Sequence, residues 1–334
     1  MPAPPEAWSG EDHPVRSAVM DLFMGLGSLP LHNDGTVVTV GFFDGVHRGH
    51  QAVLRRTLEV ARRGGLPAVG ITFDRHPREI LTPGQEPLLL TTLERKAALI
   101  EALGIDALVV LEFTEEFSRW PPKEFVRRVL VEGTGIRHAV IGSNFTFGHK
   151  AMGNLAVLTD LGAENGFTVE GVGLIRIDGR RVSSSSIRGA LAEGDLGWPG
   201  EALGRRYAVD GIVTAGAGRG SGLGFPTANL ATPARMLLPA EGVYAGKAYP
   251  GGPAAGSAHA AGHVAAINVG TNPTFGAEPK HVEAYLLDFE GDLRGRPLSV
   301  EFWERLREER RFESPEDLAR QIKDDVERTR AIVT

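Results

Sequence analysis

The chain predicts two domains of different class: an α/β domain built on a parallel sheet, then an antiparallel β domain closed by one helix. Three observations carry this. From Thr36 to about Gly197, apolar β-branched runs alternate with helical stretches, the pattern of a parallel sheet covered on both faces. From about Leu203, strand-like runs follow one another across glycine and proline turns with few helices, the pattern of a barrel or sandwich. The length, 334 residues, exceeds one ordinary domain and suits two.

Residues 1–34 form an N-terminal extension rich in Pro, Gly and mixed charge. It is expected to be loosely ordered, with one turn of helix at the apolar Val19 to Met24 and no chemistry of its own. Glu6, Glu11 and Asp12 precede that stretch, so the basic start of a secretory signal is missing. The first domain, 35–197, opens with strand Val37 to Val40. Helix Gln51 to Arg63 follows, ended by Gly64 and Gly65, then strand Ala68 to Phe73. Thr91 or Thr92 caps a helix to Leu103, and Ala107 to Leu111 is a strand. Pro121-Pro122 starts a helix to Val131, His138 to Gly142 is a strand, Asn154 to Asn165 a helix and Phe167 to Val172 a strand. The boundary falls near Gly197-Trp198-Pro199-Gly200. In the second domain, 203–334, strands are expected at Tyr207 to Thr214, Gly242 to Tyr249, His263 to Val269, Val282 to Phe289 and Leu298 to Trp303. Gly251 to Gly262 reads as a flexible hairpin loop. Ser314-Pro315-Glu316-Asp317 starts a closing helix with Leu318, Ile322 and Val326 at four-residue spacing.

Hydrophobic content of 42% and charged content of 23% are those of a soluble globular protein. The net charge of -6 argues against nucleic acid as a partner. No cysteine is present, which removes disulfide and thiolate chemistry and fits a reducing cytoplasm. No apolar run approaches a membrane span, and nothing predicts a protein partner.

The chemistry concentrates in Gly41-Phe42-Phe43-Asp44-Gly45-Val46-His47-Arg48-Gly49-His50, between a strand and a helix. Unpaired N–H groups and the positive dipole end of that helix attract phosphate. His47 and His50 share one face of its first turn. Preorganised donors there suit the α-phosphate of a nucleotide during nucleotidyl transfer. The pair is not read as a metal site, because no third ligand has a suitable spacing. Asn144, after another strand, is either a turn residue or an amide at the same sheet edge. Arg181-Val182-Ser183-Ser184-Ser185-Ser186-Ile187-Arg188 reads as a helix start whose hydroxyls and arginine can hold phosphates, or as a serine-rich linker.

In the second domain, Gly216 to Asn229 lacks the spacing of a P-loop, but its glycines allow close approach of backbone N–H groups to phosphate. Thr227 and Asn229 offer oxygens suited to Mg²⁺. Glu283 lies in an alternating strand, where it could face an interior site and accept a proton from an attacking hydroxyl.

The Gly41 to His50 motif with the late Ser183 to Arg188 run resembles the nucleotidyltransferase superfamily. With Thr72-Phe73-Asp74-Arg75-His76-Pro77 and Asn144 to Gly148, it resembles the FMN adenylyltransferase module of bacterial bifunctional FAD synthetases. Gly224-Phe225-Pro226-Thr227-Ala228-Asn229, Gly242-Val243-Tyr244, Asn268 to Phe275 and Leu306 to Phe312 resemble riboflavin kinase. The resemblance implies a Rossmann-like nucleotidyltransferase domain and a Greek-key barrel with a terminal helix. It implies phosphorylation of riboflavin to FMN by ATP, then adenylylation of FMN to FAD with release of pyrophosphate. Gly41, Phe42, Asp44, Gly45, His47, His50, Ser184, Ser185 and Arg188 would bind ATP for adenylyl transfer, and Phe73, Pro77 and Asn144 the flavin. Gly218, Arg219, Gly220, Gly224, Pro226, Thr227 and Asn229 would bind ATP in the kinase, with Mg²⁺ on Thr227 and Asn229. Arg307, Arg310 and Phe312 would hold the flavin there, and Glu283 would be general base. Arginine is common in the family where Thr146 and Ser186 stand. A second expectation is therefore a kinase with weakened or lost adenylyl transfer, and a third a flavin-binding protein without turnover.

Overall fold

Runs of Val, Ile and Leu without polar interruption need burial on both faces, and the chain provides it with one parallel sheet. The computed structural model describes residues 20–29, 34–215, 225–252, 262–271 and 280–333. Its first sheet contains β1 (Asp21–Met24), β2 (Thr36–Val40), β3 (Ala68–Phe73), β4 (Ala107–Leu111), β5 (Ile136–Gly142) and β6 (Thr168–Val172). Their spatial order is β1-β4-β3-β2-β5-β6, and every pairing is parallel. Every residue of β2, β3 and β4 is buried.

Helices join these strands: α1 (Arg48–Gly64), α2 (Arg78–Leu81), α3 (Leu93–Glu101), α4 (Glu115–Ser118), α5 (Pro122–Phe125) and α6 (Leu155–Asn165). Thr92 caps α3 by accepting from the N–H of Arg95 at 3.1 Å. After α5 the chain widens into a π-helical segment, Val126–Glu132, where a plain helix was expected. The strand order reverses between β2 and β5. Such a switch point opens a crevice outside the carboxyl ends of the two strands.

The N-terminal extension differs from expectation. Asp21–Met24 is not a helical turn but an edge strand, paired in register with Ala107 to Val110 of β4. Leu26–Ser28 adds a 3-10 turn. Positions 1–19 and 30–33 lie outside the described residues.

A small ribbon, β7 (Arg176–Ile177) and β8 (Arg180–Arg181), leads to α7 (Ser184–Ala192) and α8 (Gly197–Leu203). The boundary expected at Gly197 to Gly200 is thus helical. The second half is a closed antiparallel barrel of β9 (Tyr207–Thr214), β10 (Ala228–Ala231), β11 (Gly242–Pro250), β12 (His263–Gly270), β13 (His281–Leu286) and β14 (Pro297–Arg307). β14 returns to lie beside β11, giving the local order β14-β11-β12-β13 of a Greek key. Sequence reading missed β10, and β13 ends at Leu286 rather than Phe289. The closing helix, α9 (Pro315–Val333), has Ser314 accepting from the N–H of Asp317 at 3.1 Å. Its most buried residues are Asp325, Thr329 and Val333, while Leu318, Ile322 and Val326 are half-buried.

The two halves share a core. Leu90, Val182, Ile187, Leu191, Ala202 and Leu203 belong to the same buried cluster as barrel residues Val209, Tyr244, Ile267 and Phe302. Beside it, Arg95 of α3 donates to the Asp210 carboxylate of β9 and to Ser299 of β14, each at 2.5 Å.

Candidate active sites

The crevice at the switch point is a cleft of about 440 Å³ walled by the β2–α1 turn, the end of β5 and the start of α7. The turn is sharply wound: Phe43, Gly45 and Val46 have φ of 54°, 80° and 39°. A branched Val at positive φ is strained, and such strain persists only where surroundings over-determine it. Gly45 suits the turn, since a side chain there would be strained at its positive φ and its Cβ would lie 2.8 Å from the Leu90 side chain.

His47 is the N-cap of α1. Its Nδ1 accepts from the N–H of His50 at 3.3 Å, which puts the ring proton of the neutral imidazole on Nε2. The two rings stack with centroids 3.6 Å apart, and Phe43 meets His50 edge-on at 5.4 Å. Burial pulls the pKa of His47 down to about 4, and the cations Arg205, Arg188 and Arg181 add to the effect. Burial, then His47, also holds His50 well below the usual imidazole range. Both rings are neutral at pH 7. The Nδ1 of His50 is buried without a hydrogen-bond partner among the described residues, a group that a ligand would satisfy.

Opposite stands α7. Ser183 caps it, and the Ser186 hydroxyl oxygen accepts from the Ser183 N–H at 3.1 Å, completing a capping box. Ser184 donates to the Asp44 carbonyl at 3.0 Å, tying α7 to the turn, while Ser185 lines the cleft. Arg188 reaches the Asp44 carboxylate at 2.6 Å and the Leu88 carbonyl at 2.6 Å. Asp44 is only 2% exposed and also accepts from the N–H groups of Leu90 and Thr91 at 2.9 and 3.1 Å. A carboxylate so engaged organises the turn, and Asp44 also lines the cleft. Asn144 enters the cleft from the end of β5, with Thr146.

Of the three expected flavin contacts, Asn144 lines the cleft and the other two are placed elsewhere. Phe73 is buried in an aromatic cluster, edge-on to Phe113 at 5.4 Å and Phe117 at 5.7 Å, and Pro77 begins α2; neither lines the cleft. Its aromatic walls are Phe42, Phe145 and His76. Phe42 meets His76 edge-on at 4.8 Å and carries the buried Lys96 ammonium 4.0 Å from its ring centroid. Sequence reading missed His76 and Arg181 as cleft residues. Each stood inside a stretch the sequence marks out, His76 in Thr72 to Pro77 and Arg181 at the head of the serine run, so the signal was available for both.

On the barrel, Glu283 of β13 lies directly opposite Asn229 of β10 and Asn268 of β12. Its neighbours Val282 and Ala284 fill the barrel interior, so Glu283 is on the outer face, not toward the core as expected. It is half-buried, 3.7 Å from His281. Asn268 donates to Glu309 at 3.3 Å, which brings the segment after β14 against this row. In that segment Arg307 is committed to the buried Asp325 at 2.8 Å, while Arg310 packs 4.9 Å from the Phe312 ring and bonds Gln321. Pro226 and Thr227 lead into β10; Gly218, Arg219, Gly220 and Gly224 lie outside the described residues.

Comparison with known proteins matches each half to a family. Residues 29–186 match the FAD synthetase family and residues 203–333 the riboflavin kinase family. A bifunctional riboflavin kinase/FMN adenylyltransferase of Pseudomonas fluorescens is 39% identical, over 94% of this chain and 98% of its own. Proteins of the same description are 36% identical in Bacillus subtilis, over 87% and 90%, and 33% in Escherichia coli K12, over 92% and 96%. A crystal structure titled macrolide-efflux protein from Streptococcus pneumoniae superposes with a TM-score of 0.81 at 28% identity, covering 93% of this chain and 99% of that one. No helix among the described residues is long and apolar enough to cross a membrane. The chain belongs to the bifunctional riboflavin kinase/FMN adenylyltransferase family.

Proposed function

We propose that this chain phosphorylates riboflavin to FMN on the barrel and adenylylates FMN to FAD in the cleft of the parallel sheet, each at the expense of ATP. The observation that carries the second step is the stacked, neutral His47–His50 pair at the start of α1, facing Ser184, Ser185 and Asn144 across one cleft. In that step an oxygen of the FMN phosphate bonds to the α-phosphorus of ATP as the bond to the β-phosphate breaks. The Nε2 proton of His47 and the N-terminus of α1 meet the growing negative charge, and neutral imidazoles donate without paying for a buried cation. Asn144 orients the α-phosphate; Ser184 and Ser185 receive pyrophosphate. Arg188, bound to Asp44, sets the position of α7 against the turn. The departure at Ser186 does not favour a lost activity, since its hydroxyl completes the α7 cap and Arg181 supplies a cation to the cleft.

For the kinase step, Glu283 takes the proton of the ribityl hydroxyl as that oxygen bonds to the γ-phosphorus and ADP leaves. Among the described residues no group of three or more His, Cys, Asp or Glu could hold a metal. Thr227 and Asn229 are hard oxygen donors, and a Mg²⁺ bound by them together with phosphates and water fits that donor set. The ion would neutralise phosphate charge. We place the enzyme in the cytoplasm, where ATP and reduced surroundings suit a cysteine-free chain.

Incubating the full chain with riboflavin, ATP and Mg²⁺ and separating the flavins by chromatography tests this. FMN followed by FAD is expected. FMN alone would restrict the chain to the kinase, and neither flavin would reject the proposal.

A further inference from the structure

Three arginines lie around the phosphate turn, and they are balanced differently. Arg188 pairs with Asp44, and Arg95 with Asp210. Arg205, which joins α8 to β9, has no carboxylate partner among the described residues. Its guanidinium donates only to carbonyls: Gly45 at 2.7 Å, Val46 at 3.4 Å and Leu203 at 3.4 Å. Two of those carbonyls belong to the strained turn itself. Gln51 reinforces the clamp, giving its amide to Val46 at 2.9 Å and Leu203 at 2.7 Å. The residue as a whole is half-buried, yet its guanidinium is enclosed enough for burial to pull its pKa down to about 10.

An enclosed, unpaired guanidinium is costly, and a chain holding one in place does so against its stability. Carbonyl acceptors relieve the hydrogen bonds but leave the charge uncompensated. The nearest consequence is at His47, where Arg205 leads the cations that disfavour a protonated ring. Arg205 does not line the cleft itself, so its charge acts from behind the turn, whose other side faces a polyphosphate in the function proposed above.

We propose that Arg205 is a positioning residue of the adenylyl-transfer cleft: it holds the Gly45–Val46 turn from behind and, across that turn, adds positive potential where the nucleotide phosphates bind. The residue comes from the junction with the barrel, so the kinase half contributes to the geometry of the other active site. The inference rests on the cleft being the site of FAD formation.

The test uses full-length Arg205→Met and Arg205→Lys, each assayed for FAD formation from FMN and for FMN formation from riboflavin in the same preparation. Arg205→Met should raise KM for ATP in FAD formation about tenfold and lower kcat as well, because both charge and turn geometry are lost. Arg205→Lys, which keeps the charge but cannot bridge three carbonyls, should recover KM more than kcat. FMN formation should stay within about twofold, as an internal control of folding. In NMR titrations the His47 ring of Arg205→Met should protonate at higher pH than in the wild type. Unchanged FAD kinetics, equal loss of both activities, or an unmoved His47 titration would each overturn the proposal. If the wild-type chain forms no FAD, the reading of the cleft fails, and the His47 titration alone decides the role of Arg205.

Discussion

An imidazole that must donate to a phosphate at neutral pH is best kept uncharged and fixed in one tautomer, and His47 meets both conditions through burial and its bond to the His50 N–H. This has a measurable cost in acid. The folded pKa of about 4 lies below the ordinary 6.5, so between those values the unfolded chain takes up a proton that the folded chain refuses. The stabilisation is complete above pH 6.5 and drains away toward pH 4. About 2 kcal/mol is expected to go between pH 7 and pH 5 through His47 alone. Urea denaturation at the two pH values should therefore show a smaller acid loss in His47→Gln than in the wild type; an equal loss would mean that the ring is not neutral by burial. Function divides at the same scale. His50→Ala should lower FAD formation by about a hundredfold and spare FMN formation, and Glu283→Ala should do the reverse when FMN is supplied, as chromatography of the flavins would report. Loss of both activities from either change would contradict separate sites. Much of this chemistry was legible because the motif residues are contiguous. Asp44 shows the limit: a motif says that a carboxylate is required, but only the fold shows it accepting from Leu90 and Thr91 and gripping Arg188.

At the scale of elements, apolar runs of the right length announced β2 to β5 and most of the helices, because burial on both faces leaves a sequence little choice. β1 was hidden since its stability comes from pairing with β4, more than eighty residues away, and its own Leu22 and Met24 stay exposed. β10 was hidden because Ala228 to Ala231 also continues a phosphate-loop motif; closure of the barrel, not local propensity, makes it a strand. The start of α7 was visible as a serine run, though its division of labour was not. Ser183 and Ser186 serve the helix, and Ser184 serves the turn. Ser183→Ala should then cost about 1 kcal/mol of stability. It should also slow FAD formation more than FMN formation, because the cap fixes the direction in which Ser184, Ser185 and Arg188 are presented. Thermal melts and the two flavin assays measure both; a stability loss with equal slowing of the two reactions would reduce the cap to scaffolding.

Across the whole molecule, residues of both halves share one buried cluster, so the two are expected to unfold together. α7 belongs by sequence to the first half and α8 spans the expected boundary, yet both pack into the barrel's cluster, and Leu90 joins them. Arg95 and Asp210 cross the same boundary with side chains only 7% and 11% exposed. Removing either member alone strands a buried charge, so Arg95→Met or Asp210→Leu should each cost about 3–5 kcal/mol. The double variant leaves no ion behind and should recover most of that loss, less the orphaned hydroxyl of Ser299. Urea denaturation of the four proteins closes the cycle. Trp120 in the first half and Trp303 in the barrel report whether the halves unfold together. Additive single losses would show that the pair is not a unit. Separate transitions in the wild type would show that each half folds on its own core, and the turn at Gly45 would then be free of the barrel that now braces it.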